Sequence, residues 1–230
     1  MRTLPRAAGR ICGGNRRVPV REPGFRLVRL PLVVHTAEMD RAVHLVGGRE
    51  RRRIVIAEPD PAWPRRFEAE RARIAAALGE RAERIEHIGS TAVPGLAAKP
   101  IVDVLVAVAR LAEEELVPPL ERAGYVLRVR EADHLMVRTP ALDVHVHLWH
   151  VGSREVARHL AFRDRLRASP EDRAAYERLK RELAARDWDD VNGYADAKSS
   201  LIREIGERGG YQSSTSDARE RGASASPLTG

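Results

Sequence analysis

Cysteine, aromatic residues and long apolar runs are all scarce in this 230-residue chain, and each scarcity excludes a class of structure. Cys12 is the single cysteine, which excludes an intramolecular disulfide and a cysteine-based zinc site and suits a reducing compartment. No apolar run approaches the roughly 18 to 20 residues that span a bilayer. We therefore expect a cytoplasmic protein with no membrane partner.

Positive charge is spread unevenly along the chain. The net charge is +7, yet residues 1–53 hold thirteen arginines, no lysine and only four acidic residues, so residues 54–230 are slightly acidic. A nucleic-acid-binding domain usually carries a basic face of its own with aromatic side chains, whereas aromatics make up 4% of this chain. The composition argues against nucleic acid as a partner of the folded domain and leaves small-molecule ligands and protein partners open.

Composition also suggests the domain boundaries. Residues 1–53 contain scattered Pro, Gly and Arg without a period, which predicts a disordered Arg-rich arm. We expect much of this arm to be dispensable, with translation starting at Met39; an intact-mass measurement that found residues 1–38 would reject this. Residues 208–230 are rich in Gly, Ser, Thr and Ala and are predicted to be a disordered tail. The predicted domain is residues 54–207.

Apolar periodicity divides this domain into a strand-rich first half and a helical second half. The predicted strands are 54–57, 85–88, 101–107, 125–129, 135–138 and 141–148. One helix is expected from Pro61 to Gly79 and another over 111–123, where a Pro-Pro pair beginning at Pro118 should break or kink it. From Ser153 onward the pattern is helical. The predicted fold class is α+β with a C-terminal helical cap.

The stretch from residue 85 to 107 joins two apolar runs through a short turn-prone loop. Gly89 removes a Cβ that would keep backbone N–H groups away from a ligand, and Ser90 and Thr91 add hydroxyl groups at a predicted helical turn, where anions are favoured. Asp103 lies inside the second apolar run, where a carboxylate is costly unless a metal, a cation or hydrogen bonds compensate it. We expect an anion-binding loop beside a carboxylate that needs a partner.

Two histidines alternate in the last predicted strand. Because side chains on a strand alternate between its faces, Asp143, His145 and His147 share one face while the residues between them point into the core. Imidazoles and carboxylates together bind divalent transition metals, and histidines carry protons near neutral pH. The pattern alone leaves open whether these side chains form a site or an ordinary solvent-facing surface.

These residues also carry a resemblance to known proteins. An apolar run, Gly89-Ser90, a dozen residues and then Asp103 on an apolar strand is similar to the signature of polymerase-β-type nucleotidyltransferases. The whole stretch HIGSTAVPGLAAKPIVD, which starts at His87, resembles the GrpB family, named for glutamate-rich protein GrpB. The later segments DVHVHL and FRDRLRASP fit the same family, and the resemblance extends over about residues 54–207.

The resemblance implies both a fold and a site. The fold would be a mixed β-sheet of the nucleotidyltransferase type with flanking helices, in which the strand of His145 and His147 pairs beside that of Asp103. The site would hold a divalent metal, Mg²⁺ or Mn²⁺ or else Zn²⁺. Its implied metal ligands are Asp103, His145, His147 and His87. The implied loop contacts to nucleotide phosphates are Gly89, Ser90 and Thr91.

Basic side chains at three positions are candidates for neutralising phosphate. Lys99 lies at the entrance of a strand, Arg163 lies on a predicted helix, and Lys198 lies on the last helix, where Lys180 can join it. Ordinary alternatives exist, since loop lysines are usually solvated and charge-rich helices often form exposed ion pairs. No role is assigned to the histidines without a visible partner, His134, His150 and His159.

One position departs from the pattern of active nucleotidyltransferases. These enzymes place a second carboxylate two residues after the first, so that two magnesium ions bridge the triphosphate and the attacking group; here that residue is Leu105. Two hypotheses follow. The protein is a nucleotidyltransferase with Asp103, His145 and His147 as catalytic residues, or it is a binding or helper module that lost the chemistry. GrpB-like domains are also found fused to dephospho-CoA kinase, which supports the second by association only.

Overall fold

A computed structural model describes residues 44–48, 50–51 and 53–211, and these form a six-stranded mixed sheet with helices on both faces. The strands are β1 His44–Leu45, β2 Ala82–Ile88, β3 Val102–Val108, β4 Val126–Arg130, β5 Leu135–Arg138 and β6 Val144–His150. The helices are α1 Ala62–Leu78, α2 Glu113–Arg122, α3 Arg154–Ala168, α4 Pro170–Ala184, α5 Val191–Asp196 and α6 Ser199–Arg208. The α+β prediction with a C-terminal helical cap is confirmed.

The sheet has the strand order β1-β4-β5-β6-β3-β2. Strands β3 and β6 at its centre are parallel, whereas the other neighbouring pairs are antiparallel. In this parallel pair Asp103 aligns with His145 and Leu105 with His147. The pairing that the sequence resemblance implied is therefore present, and it brings the carboxylate and both histidines to one face of the sheet.

The two faces of the sheet are covered by different helices. On one face Val102, Val104 and Val106 pack in a core that includes Phe67 of α1 and Leu120 of α2. On the other face a smaller apolar cluster joins β2, β3 and β6 to α3. Burial of this apolar surface is the main force that holds the layers together. The two clusters leave the polar residues of β3 and β6 facing the C-terminal cap.

Local sequence explains where the first two helices begin and end. The Asp60 carboxylate accepts a hydrogen bond from the Ala62 amide at 2.7 Å, which satisfies a free N–H in the first turn of α1. Gly79, with φ +57°, ends this helix. Helix α2 continues through Pro118 and Pro119 rather than breaking, because Leu116, Val117 and Leu120 anchor its inner face in the core.

Two predicted segments differ from the structure near the start of the domain. Residues 54–57 do not form a strand; only Ala57 pairs, in an isolated bridge with Ala98. Conversely, His44–Leu45, inside the predicted disordered arm 1–53, form edge strand β1 against β4. The carboxylate of Glu50 further binds Arg138. The arm was predicted too long because a two-residue strand is too short to show a period.

The other predictions about the ends of the chain concern residues that the structure does not describe. Most of the predicted arm, the Met39 start and most of the predicted tail at 208–230 lie outside the described residues. Within the described part of the chain, none of the helices is both long enough and apolar enough to cross a membrane.

Candidate functional site

A cavity of about 270 Å³ opens between the carboxyl-terminal loop of β2, the start of β3, the histidines of β6 and the helical cap. Its lining combines a loop, a carboxylate, three imidazoles, two phenols and three ammonium groups. These polar residues are Gly89, Ser90, Lys99, Asp103, His145, His147, His159, Tyr176, Lys180, Tyr194 and Lys198. Seven of the ten residues predicted as site residues thus line this cavity, and the other three, His87, Thr91 and Arg163, do not.

The centre of the cavity is a triad of one carboxylate and two imidazoles. The Nδ1 atom of His145 lies 3.4 Å from Asp103 Oδ1, and the Nε2 atom of His147 lies 3.8 Å from the same oxygen. One ligand atom from each residue lies within 4.8 Å of the other two, which is close enough for all three to bind one metal ion. The donor set of one oxygen and two nitrogens suits a divalent transition metal.

The surroundings of Asp103 keep its carboxyl group ionised. Burial by itself raises the pKa of its carboxyl group, but the neighbouring imidazoles of His145 and His147 outweigh this effect and hold the pKa far below its usual range. An ionised carboxylate whose side chain is only 28% exposed attracts a compensating cation. The site therefore favours a positive charge between Asp103 and the two histidines.

A chain of hydrogen bonds orients His147. The Nδ1 atom of His134 lies 3.0 Å from the Glu131 carboxylate, which can only accept, so this nitrogen carries the proton. Burial lowers the pKa of His134 to about 3, so its Nε2 is unprotonated and accepts from Nδ1–H of His147 at 3.1 Å. His147 consequently turns Nε2 toward Asp103, where the lone pair of this nitrogen can bind a metal.

His145 has an unusual environment. Its Nε2 atom is buried and has no hydrogen-bond partner among the described residues. A buried polar atom without a partner is costly. Other interactions of the His145 ring must therefore offset this cost. The nearby Asp103 oxygen, 3.4 Å from Nδ1, supplies one such constraint, and a cation bound to both would supply a stronger one.

Gly89 is required where the loop approaches Asp103. Its φ is +70°, a conformation that side-chain-bearing residues rarely adopt. A Cβ atom at this position would lie 2.4 Å from Asp103 Oδ2, which is far inside van der Waals contact. Glycine thus lets the loop lie directly against the carboxylate. This is a second reason for glycine at position 89, in addition to the ligand access that the sequence suggested.

All the lysines of the chain face this cavity. The sequence has 40 Lys and Arg residues, and only Lys99, Lys180 and Lys198 are lysines. Burial lowers the pKa of both Lys180 and Lys198 to about 7, and for Lys198 the charges of the other two lysines add to this effect. Arginine does not lose its proton in proteins, whereas a buried lysine does. The cavity is therefore the place where this chain uses an ammonium group that can titrate.

Two tyrosines help to hold these ammonium groups. The Nζ atom of Lys198 lies 3.6 Å from the ring centroid of Tyr194, and that of Lys180 lies 4.9 Å from the ring centroid of Tyr176. The Lys180 ammonium also donates to the Ala97 carbonyl. Contact with an aromatic face attracts a cation by about 0.5 to 2 kcal/mol, so the rings partly offset the desolvation of the lysines.

His87 is placed on the opposite side of the sheet from the triad. It aligns with Val104, whereas Ile88 aligns with Asp103. The His87 ring stacks on Phe67 at 4.7 Å, and its Nε2–H donates to the Thr91 hydroxyl, which in turn donates to the Ile101 carbonyl. His87 and Thr91 thus lie in a structural hydrogen-bond network outside the cavity lining, away from the metal and phosphate contacts that were predicted for them.

Two other predicted polar residues are also occupied elsewhere. Arg163 is buried, and its guanidinium binds the Glu86 carboxylate at 2.7 Å and the His87 carbonyl at 3.0 Å, so it fastens α3 to β2 rather than lining the cavity. Asp143 precedes β6 and binds Arg66 of α1 at 2.6 Å. The prediction of Arg163 as a phosphate ligand is corrected, and Asp143 does not share the face of His145.

Sequence reasoning missed His134 and His159. His159 of α3 lines the cavity, and His134 sets the orientation of His147. Neither has a neighbour at a diagnostic spacing, since their contacts arise from elements distant along the chain. No signal in the sequence therefore identified these two histidines.

Leu105 occupies the position of the second carboxylate in the implied catalytic pattern. Its side chain is 0% exposed and packs with Ile88, Ala107 and Trp149. Asp103 is consequently the single carboxylate among the described residues that line the cavity. This site can hold one cation through the triad, and it lacks the acidic groups for a pair of magnesium ions.

Comparisons with known proteins place this chain in a family. A profile described as GrpB protein matches residues 53–208. A UPF0157 protein of Streptomyces coelicolor is 50% identical over 169 residues, covering 73% of this chain and 90% of that protein. The crystal structure of conserved protein GrpB from Enterococcus faecalis is similar with a TM-score of 0.61 and 34% identity, covering 67% of this chain and 96% of that chain.

A more distant relative has a named activity. A dephospho-CoA kinase of Mycolicibacterium paratuberculosis is 32% identical over 183 residues, which is 65% of this chain but only 44% of that protein. The similarity therefore spans less than half of the kinase. With a family profile that covers most of its length and a relative at 50% identity, the chain belongs to the GrpB family.

Proposed function

We propose that the cavity binds a nucleotide or another phosphorylated small molecule together with a divalent metal ion. The observation that carries this proposal is the convergence of every lysine of the chain on the cavity that contains the Asp103 triad. Three ammonium groups attract a multiply charged anion, and a carboxylate with two imidazoles attracts a metal cation. A metal–phosphate ligand satisfies both requirements at once.

The donor set favours some metals over others. Asp103, His145 and His147 would hold the ion, and the remaining coordination positions are open to ligand oxygens. Mg²⁺ prefers oxygen ligands alone, whereas Zn²⁺ and Mn²⁺ accept imidazole. When bound, such an ion supplies charge neutralisation for phosphate oxygens. We therefore expect Zn²⁺ or Mn²⁺ to bind more tightly than Mg²⁺.

The protein residues divide the remaining work. Lys99, Lys180 and Lys198 neutralise phosphate oxygens, and the Ser90 hydroxyl beside Gly89 donates to one of them. In a nucleotidyl transfer, a hydroxyl oxygen of the acceptor bonds to the α-phosphorus while the bond to pyrophosphate breaks. Since both imidazoles of the pair would hold the metal, the hydroxyl proton passes to water, and pyrophosphate leaves with the bonding electrons.

A second function has its own supporting observation. Because Leu105 is fully buried and Asp103 is the single carboxylate of the described lining, the cavity lacks the two-metal arrangement of nucleotidyl transfer. A module that binds the ligand without transferring it needs only the triad and the lysines. The similarity to part of a dephospho-CoA kinase suggests that such a module assists another enzyme.

The test is isothermal titration of the full chain with ATP, GTP, CTP and UTP, each with Mg²⁺, Mn²⁺ or Zn²⁺ and without metal. We expect at least one nucleotide to bind with a metal and to lose at least about a hundredfold in affinity in Asp103→Asn. The matched control is Asp187→Asn, at an exposed aspartate away from the cavity, which should leave binding unchanged.

Two results would overturn the proposal. One is the absence of binding by all four nucleotides at millimolar concentration with every metal. The other is equal binding by wild type and Asp103→Asn, since the triad would then have no part in the site. If binding is found, incubation with radiolabelled nucleotide and analysis for released pyrophosphate distinguishes a transferase from a non-catalytic module.

A further inference from the structure

A second cavity adjoins the first. Its volume is about 410 Å³, and His147 and His159 line both cavities. It lies between the loop that precedes β5 and the start of α3. Its other lining residues are Glu131, Ala132, Asp133, His134, Trp149, Glu155 and Arg158. A molecule in the second cavity would therefore contact the same imidazoles as a molecule in the first.

The two cavities carry opposite charge. The second has three carboxylates, Glu131, Asp133 and Glu155, against the one guanidinium of Arg158, which pairs with Glu155 at 2.5 Å. The first has three ammonium groups against the one carboxylate of Asp103. Burial lowers the pKa of His134 and His159 to about 3, so neither ring adds positive charge at neutral pH. An anion is attracted to one cavity and a cation to the other.

Aromatic rings form one wall of the second cavity. The rings of His134 and Trp149 are stacked at 4.6 Å between centroids, and those of His147 and Trp149 at 5.3 Å. His159 packs against Trp149 on the helical side at 4.9 Å. Because these rings pack on one another and Trp149 is only 4% exposed, they form a rigid wall rather than open ring faces. The wall thus offers apolar contact to the carbon atoms of a ligand, while the carboxylates attract its charge.

A bare metal ion fits this cavity poorly. Among the described residues, the group of three acidic or imidazole side chains with ligand atoms close enough for one ion is Asp103, His145 and His147, in the first cavity. The carboxylates of the second cavity are spread around its rim, and two already bind His134 and Arg158. Spread charge and a ring wall suit a larger, polyatomic cation.

We propose that the second cavity binds a small organic cation that carries a hydroxyl group, and that this cation is the acceptor whose hydroxyl meets the phosphorylated ligand at His147. The acceptor role rests on the proposed function, whereas the binding of the cation does not. In the transfer, the new bond joins the hydroxyl oxygen to the α-phosphorus, the bond to pyrophosphate breaks, and the hydroxyl proton passes to water.

The experiment titrates the full chain with choline and with spermidine, and compares choline with its neutral isostere 3,3-dimethylbutan-1-ol. We expect the cations to bind and the isostere to bind at least about tenfold more weakly. The double variant Asp133→Asn/Glu155→Gln removes two charges and leaves the Glu131–His134 hydrogen bond intact. It should weaken choline binding at least tenfold.

A matched control and a cross-check make the test decisive. Glu83→Gln/Glu121→Gln removes the same charge from two exposed positions elsewhere and should leave choline binding unchanged. Lys198→Met alters the first cavity and should weaken nucleotide binding while choline binding stays within about twofold. Trp149 fluorescence provides a second readout of occupancy, because its ring lines the second cavity.

The outcomes separate the two proposals. No binding of either cation at tens of millimolar, equal binding of the neutral isostere, or unchanged binding in the double variant would overturn the second site, whatever the nucleotides do. Cation binding without any nucleotide binding would sustain the second site and reject the proposed function. Binding of both, with a product linking choline to a nucleotidyl group, would establish the acceptor role.

Discussion

Strand β3 presents a uniformly apolar face to α1 and α2 and a mixed face to the C-terminal cap. Val102, Val104 and Val106 are buried in the larger core, whereas Asp103 alternates with them and faces a cavity with His145 of β6. The two faces lie on opposite sides of one backbone. The difference shows that a single strand supplies both the stability of the domain and the centre of its site, in alternate residues.

The largest expected effect comes from placing a carboxylate on the apolar face. Val104→Asp buries a charge without a partner and should lower the free energy of unfolding by on the order of 3–5 kcal/mol. Asp103→Asn on the other face should change it by less than about 1 kcal/mol. Urea denaturation followed by circular dichroism measures both, and comparable losses in the two variants would contradict the division between the faces.

A smaller effect tests the contact between the loop and the carboxylate. Gly89 and Gly95 both have positive φ, +70° and +74°, so alanine strains the backbone at each, by on the order of 1–3 kcal/mol at Gly89, where ψ is −171°. Only at Gly89 does the new Cβ meet Asp103, because nothing lies within 4 Å at Gly95. We expect Gly89→Ala to weaken Zn²⁺ affinity by about tenfold or more in a competition titration.

The matched glycine identifies the cause of any loss. Gly95→Ala should also be destabilised and should keep its Zn²⁺ affinity. A loss of affinity in both variants would attribute the effect to backbone strain rather than to displacement of Asp103, and no loss in either would remove Asp103 from the metal site.

The last expected effect is a pH dependence of the affinity of the cavity for phosphate. Lys180 and Lys198 have a pKa of about 7, so both are mainly charged at pH 6 and mainly neutral at pH 8.5. A phosphate ligand binds the charged form, and affinity for ATP should therefore fall as pH rises, by up to about tenfold per unit for each lysine that takes up a proton. The positive charge of Lys99 lowers the pKa of Lys198 further, whereas the negative charges of Asp103 and Asp196 raise it.

The titration has an internal check. At pH 8, binding should take up protons, which appears as a dependence of the heat on the buffer's ionisation enthalpy. Lys198→Arg keeps its charge across this range and should flatten the profile, whereas Arg203→Lys at an exposed position should not. A profile that is flat for the wild type would show that the lysines are not the groups that bind phosphate.

Sequence patterns were informative wherever the cause lay within a few residues. The 3.6-residue and 2-residue periods located α1, β3 and β6 because each buries one face along its length. They failed for β1, which is too short to have a period, and for the prolines of α2, where tertiary packing compensates the lost hydrogen bonds. The family resemblance then supplied the pairing of β3 with β6, which the patterns alone left open.

The structure brings the centre of the predicted site together and separates its edges. Asp103, His145 and His147 converge because strand alternation puts both histidines on one face and the β3–β6 pairing places that face beside Asp103. His87 and Arg163 were assigned to the same site from proximity in sequence and from charge, yet each is held by other partners. Proximity along the chain does not determine which face of a sheet a residue occupies. The charge of a side chain does not determine which residue it binds.

The amino-acid sequence by itself determined the α+β class, the family and the presence of lysine at only three positions. Tertiary structure alone decided that those lysines surround the triad, that His134 orients His147, and that an acidic second cavity lies beside a basic first one. The physical reason is that secondary structure depends on near neighbours, whereas burial, pKa and charge balance depend on groups that folding brings from distant parts of the chain.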